Sequence, residues 1–177
     1  MTFELDLKNR TCEVEEIITS CLPEETGPQK TVLQAMNYSV QAGGKRLRPM
    51  LILESFRLFG GKSKTVEPFM AAIEMIHSYS LVHDDLPALD NDDYRRGKKS
   101  THAAFGEAMG ILAGDALLNY AFETAMKAFD IEPDVKRVAE ALKILARKAG
   151  IHRNKIAINI ICTSSRCIYD IVVSCYY

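Results

Sequence analysis

Five aspartates crowd one short stretch: Asp84-Asp85, then Asp90, then Asp92-Asp93. Carboxylate oxygens suit hard divalent cations, and Mg²⁺ characteristically takes one or two of them together with substrate phosphates. Arg95-Arg96-Gly97-Lys98-Lys99 follows at once. Such alternating blocks neutralise one another as a solvated turn, or they grip a metal-bridged polyphosphate. In the second case carboxylates hold the metal, and arginines take the remaining phosphate oxygens bidentately. A further basic cluster, Gly43-Gly44-Lys45-Arg46-Leu47-Arg48-Pro49, lies upstream. Lys45 and Arg48 are three apart and able to converge beside a helix N-terminus, which favours anions. The spacing is not that of a P-loop, and a basic surface turn is the plain alternative. His77 lies seven residues before Asp84, two helical turns away on the same face. It is either a satisfied core histidine or a ligand-facing one.

These residues need helices to position them. Helical patterns cover about 3–21, 30–42, 49–58, 66–85, 101–129 and 133–149, with no strand expected before residue 150 and no internal repeat. The stops are Leu22-Pro23, Gly43-Gly44, Gly60-Gly61, Leu86-Pro87 and Gly150. The fourth helix delivers Asp84 at its exit. Asp90 reaches Asp84 only if the chain loosens around Pro87. In the fifth helix Gly106, Gly110 and Gly114 lie four apart. Each costs a helix about 1 kcal/mol, which makes sense where another backbone packs close.

At 177 residues, with 47% hydrophobic and 25% charged residues, the chain has the length and composition of about one globular domain. A net charge of −1 gives no bulk attraction to nucleic acid or anionic lipid, so no nucleic-acid partner is expected. No apolar run approaches the roughly 18 residues of a membrane span, and the acidic N-terminus is unlike a signal peptide. Five cysteines without a CxxC pair or ligand spacing suit a reduced, cytoplasmic setting.

Residues 153–177 change texture. They carry three of the five cysteines, a single acid and β-branched runs at 156–161 and 168–173. The segment reads as a C-terminal hairpin or as a tail foreign to what precedes it, as from a shifted reading frame. The expected division is therefore 1–152 and 153–177.

The stretch IHSYSLVHDDLPALDNDDYRRGKKSTH resembles the first aspartate-rich region of trans-isoprenyl diphosphate synthases, most nearly the bacterial farnesyl type (geranyltranstransferases). GGKRLRP resembles the family's upstream basic motif, and GILAGDALL its following helix. The resemblance covers about residues 1–152. It implies an all-α fold, here the N-terminal half of an isoprenoid-synthase helical fold. It also implies Mg²⁺-dependent condensation of an allylic diphosphate (dimethylallyl or geranyl) with isopentenyl diphosphate. By position, Asp84 and Asp90 match the family's Mg²⁺ ligands, with Asp85 as the weaker middle member. Arg95 matches the allylic-diphosphate arginine. Lys45, Arg48, His77 and Arg96 match the isopentenyl-diphosphate pocket. Tyr79 and Ser80, five and four positions before Asp84, match the sites that limit product length, and the aromatic suggests a fifteen-carbon product. On a helical wheel, however, Tyr79 sits about 140° from Asp84, as an ordinary core residue would.

The family's second aspartate-rich motif and its Lys-Thr, Phe-Gln and Gly-Gln elements do not appear in the 177 residues. The resemblance thus implies a truncated synthase, inactive by itself. The alternatives are a non-catalytic partner subunit or structural fragment that dimerises through the glycine-striped helix, and a metal phosphohydrolase using His77, His83, Asp84 and a distant Asp. A half ring of helices is expected to expose the faces of Ile73, Ile76, Leu112 and Leu117, and so to self-associate.

Overall fold

The computed structural model describes residues 2–150. The division at residue 152 and the character of 153–177 lie outside them. Seven α-helices carry the described chain: α1 (Phe3–Ser20), α2 (Lys30–Val40), α3 (Leu47–Leu58), α4 (Val66–Asp84), α5 (Thr101–Phe105), α6 (Glu107–Met126) and α7 (Val135–Ala149). The expected all-α class holds.

Helix α4 is the central post. Its sequence is apolar almost all round, the signature of a helix buried on every side, and Phe69, Met70, Ile73, Met75 and Ile76 are all buried. Helices α1, α2, α3 and α6 pack around it, α6 most extensively. By contrast, α7 is strongly amphipathic and buries only one stripe, including Val138, Ala141 and Leu145. Asp134 caps it, accepting a hydrogen bond from the Arg137 amide at 3.2 Å.

Two expectations need correction. The helix expected over 101–129 is interrupted. Gly106 has φ +91°, in the region that L-residues avoid, and it separates α5 from α6. A 3₁₀ turn, Lys127–Asp130, then follows α6. The glycine stripe therefore has two helical members. A Cβ at Gly114 would lie 2.1 Å from the His83 Nε2 atom, and one at Gly110 would lie 3.1 Å from Leu86. Gly114 admits α4, and Gly110 admits the exit of α4 and His102 of α5, so both glycines serve close packing within the chain. Second, the 87–100 segment holds a short antiparallel ribbon, β1 (Tyr94–Arg95) with β2 (Lys98–Lys99). Its turn residues, Arg96 and Gly97, both have positive φ, +54° and +77°, as the tight hairpin turns that match strand twist require. Four residues of strand carry no hydrophobic alternation, which is why the pattern was invisible.

The expectation of an uncovered inner wall also fails in part. Ile73, Ile76 and Leu117 are at most 2% exposed, because α6 closes over α4. Leu112 is exposed as expected, beside Ile111. Among the described residues no helix is long and apolar enough to cross a membrane.

Candidate active site

The acidic half of the site is built by how α4 ends. Asp84 is its last residue. Pro87 supplies no amide, and the chain curls back: Leu89 N–H donates to Leu86 O at 2.9 Å, and Asn91 N–H to the same oxygen at 3.1 Å. The Asp90 amide then donates to Asp84 O at 2.9 Å. This return turn brings Asp90 beside Asp84. The Asp84 carboxyl is pushed above the ordinary carboxylate range, first by burial and then by the charge of Asp90. Two carboxylates held side by side are a natural seat for a cation.

Asp85 is placed differently. It is 2% exposed, and its two oxygens accept hydrogen bonds from Arg95 Nε at 2.9 and 2.8 Å. Arg95 Nη2 donates to the same carboxylate. The three bonds hold Arg95 upright between the aspartates and the ribbon, and raise the proton affinity of its guanidinium. Asp85 thus holds the arginine, while Asp84 and Asp90 face outward.

The ribbon is itself tied down. Tyr38 on α2 donates its hydroxyl hydrogen to Lys99 O at 2.8 Å. Ser100 N–H donates to Asp93 O at 2.8 Å, and the buried Ser100 hydroxyl lies 3.0 Å from His102 Nδ1. A small hollow of about 30 Å³, lined by Tyr38, Ser78, Asp85 and Arg95, remains behind the ribbon, room for about one water.

Arg96 serves the other half. Arg95 ends β1, and Arg96 opens the turn with a left-handed backbone, φ +54°. Arg95 goes to the aspartates, and Arg96 goes to a cavity of about 440 Å³ lined by Gly44, Lys45, Arg48, Glu74, His77 and Arg96. A Cβ at Gly44 would lie 2.5 Å from Arg96 Nη1, so the glycine is what lets the guanidinium lie against the loop. Here Lys45, Arg48, His77 and Arg96, expected as one anion pocket, do meet. His77 is more than half buried among arginines, not among aspartates. Burial, then the charges of Arg48 and Arg96, lower its pKa to about 3. It is a neutral imidazole throughout the physiological range.

Sequence reasoning missed what holds this loop. Arg46 takes a left-handed backbone, φ +47°, just before α3, and is 3% exposed. Its guanidinium donates to Glu74 Oε1 at 2.7 Å, to Glu15 Oε1 and Oε2 at 2.9 and 3.1 Å, and to Val40 O at 2.6 Å. Burial opposes its charge, and Glu15 and Glu74 more than offset that. One signal was available: Glu74 is a charged residue, three before His77, inside the apolar run of α4.

Tyr79 packs its ring edge-on to His83 at 5.7 Å. Burial, then the Asp84 charge, raise the pKa of its hydroxyl. Ser80 is buried and donates to His77 O at 2.6 Å. His83 lies 3.2 Å from Ile111 O. His77 and His83 thus serve different surroundings, and among the described residues no three His, Cys, Asp or Glu side chains converge on one point. The phosphohydrolase alternative loses its ligand set.

The described residues thus form a helical bundle with an aspartate pair at a helix exit and a basic cavity beside it. The chain belongs to the polyprenyl synthetase family, whose profile matches residues 29–152. It is 45% identical over 152 residues to the farnesyl diphosphate synthase of Geobacillus stearothermophilus, covering 85% of this chain and 50% of that one. Among solved structures, an apo FPP/GFPP synthase from Zymomonas mobilis superposes with a TM-score of 0.76 at 37% identity, over 83% of this chain and 52% of that one. A geranyltransferase from Legionella pneumophila superposes with a TM-score of 0.78 at 30% identity, over 98% of this chain and 66% of that one. The chain spans between about a third and a half of the length of the curated relatives it matches.

Proposed function

We propose that the chain carries the first diphosphate-binding half of a prenyltransferase that joins an allylic diphosphate to isopentenyl diphosphate, with a farnesyl product. The observation that carries this reading is the division of labour at the ribbon. Arg95 stands with the aspartates and Arg96 with the basic cavity, so two anionic groups have separate seats next to each other.

The residues present fit Mg²⁺. Asp84 and Asp90 offer oxygen donors alone, and the raised proton affinity of Asp84 marks charge that lacks compensation. Mg²⁺ bound there supplies electrostatic stabilisation for a departing diphosphate. Arg95, oriented by Asp85, takes phosphate oxygens on the same side. Lys45, Arg48 and Arg96 bind the second diphosphate, and neutral His77 offers it a ring N–H. Tyr79, near the Asp84 end of α4, is the candidate limit on chain growth.

We assign no prenyl transfer to these 177 residues by themselves, because they hold one aspartate-rich cluster and the family resemblance calls for two facing ones. The partner-subunit alternative finds no support in the glycine stripe, which is occupied by His83 and Leu86.

Calorimetry with geranyl diphosphate tests the acidic seat. Binding is expected to depend on Mg²⁺, and to fall at least tenfold in the Asp84→Ala, Asp90→Ala double variant. Equal binding by that variant would remove the assignment.

A further inference from the structure

The basic cavity contains a carboxylate that no anion would choose as a neighbour. Glu74 is 2% exposed and lines the cavity with Lys45, Arg48, His77 and Arg96. Its Oε1 takes Arg46, while its buried Oε2 has no hydrogen-bond partner. A buried acceptor left unpaired costs about 1–3 kcal/mol, more when charged, so its presence needs a reason.

Anchoring Arg46 occupies Oε1 alone and leaves Oε2 unexplained. Glu15 already meets that guanidinium with both oxygens, and Val40 O takes a further bond. With one cation and two carboxylates, the Arg46 cluster carries a net charge of −1 directly behind the phosphate-binding groups.

We infer that Glu74 is a built-in counter-charge: its carboxylate holds the cations of the empty cavity together and lowers the cavity's affinity for diphosphate. Without it, Lys45, Arg46, Arg48 and Arg96 would crowd one concave surface. Glu74 favours the charged form of Arg96, which burial and the neighbouring arginines oppose. When a diphosphate enters, it takes over the role of neutralising those cations, and Glu74 then repels it. The carboxylate therefore stabilises the empty protein and favours release. It is a positioning residue that need not touch the ligand.

This inference rests on the reading of the cavity as a diphosphate seat, and one experiment separates the two. The full 177-residue chain is titrated with inorganic diphosphate at low salt in the presence of EDTA, so that the aspartate side is not metal-loaded. The wild type should bind, and Arg48→Gln should weaken binding at least fivefold. Glu74→Gln, which keeps the shape and the bond to Arg46, should melt at a lower temperature yet bind roughly fivefold or more tightly, because a like charge within several ångströms is gone. Glu74→Asp, which keeps the charge, should stay within about twofold of wild type. A residue with a purely structural role would give lower stability with equal or weaker binding. That result in Glu74→Gln overturns the counter-charge while leaving the diphosphate seat intact, provided Arg48→Gln weakens binding. If neither wild type nor Glu74→Gln binds, both fail. Should Glu74→Gln not fold, Glu15→Gln decides. It removes a half-exposed charge from the same cluster and should tighten binding by about twofold. Unchanged or weaker binding then overturns the proposal.

Discussion

At the scale of single residues, charge is arranged here against the ordinary preferences of burial. Arg46 is almost fully buried and survives because three carboxylate oxygens and one carbonyl surround it. His77 has the opposite problem, lying among the charges of Arg48, Arg96, Arg46 and Arg95. Its pKa in the folded protein is about 3 against an ordinary 6.5. Between those values the unfolded chain binds a proton that the folded chain refuses, so this residue subtracts stability as pH falls from 6.5 toward 3, and nothing above 6.5. We expect His77→Asn to lose less stability than wild type between pH 7 and pH 4.5. Denaturant midpoints at the two values measure this. An identical acid loss in both proteins would show that His77 is not held neutral.

At the scale of elements, the site depends on two helices being closer than side chains normally allow. The exit of α4 carries Asp84 and Asp85, and its direction is fixed where His83 lies on Gly114 of α6. Adding one methyl at Gly114 places a carbon 2.1 Å from the His83 ring, so the ring or the helix must shift. Overpacking of that kind costs about 1–3 kcal/mol, partly offset by the better helix propensity of alanine. We expect Gly114→Ala to be destabilised by about 1–2 kcal/mol and to bind geranyl diphosphate with Mg²⁺ more weakly, since Asp84 is the next residue after His83. At Gly110 the same methyl would meet Leu86 at 3.1 Å and His102 Cβ at 3.2 Å, contacts tight by only a few tenths of an ångström. Gly110→Ala should therefore be the milder change. The reverse order in thermal melts would mean that α4 and α6 are not locked at His83.

At the scale of the whole molecule, the described residues form a closed core with one rim of the site. Ile73, Ile76 and Leu117 are covered within the chain, so these positions cannot drive the self-association expected of an open half ring. What the 177 residues do lack is a second aspartate-rich cluster. Removing a single electrostatic donor from an active site typically costs about 100- to 1000-fold in rate, and a whole ligand set costs more. We expect the purified chain to bind geranyl diphosphate with Mg²⁺ and yet to form no detectable farnesyl diphosphate from it and isopentenyl diphosphate. The shorter 1–152 polypeptide should behave alike. Product formation at a rate near that of a full-length relative would show that the missing groups are supplied elsewhere in the chain.

Much of this was legible in the residues, and for identifiable reasons. The helices could be located because apolar periodicity and Gly/Pro stops are local, and six helical segments fall close to where α1–α7 stand. The candidate site residues could be singled out because carboxylates and guanidinium groups in tight blocks have few chemical uses. Where the chain folds back on itself, the sequence was silent. Nothing local shows that the Asp90 amide returns to Asp84, that Gly106 breaks a helix while Gly110 and Gly114 admit one, or that a four-residue ribbon sends Arg95 and Arg96 to different partners. Asp85 illustrates the limit most clearly. In sequence it is one of several equivalent acids. Only packing, which turns it inward onto Arg95 while Asp84 is half-buried and Asp90 exposed, distinguishes the residue that holds an arginine from the other two. The residue types and their order fixed which chemistry was available; burial and the path of the return turn, both products of contacts distant in sequence, decided which side chain performs each part.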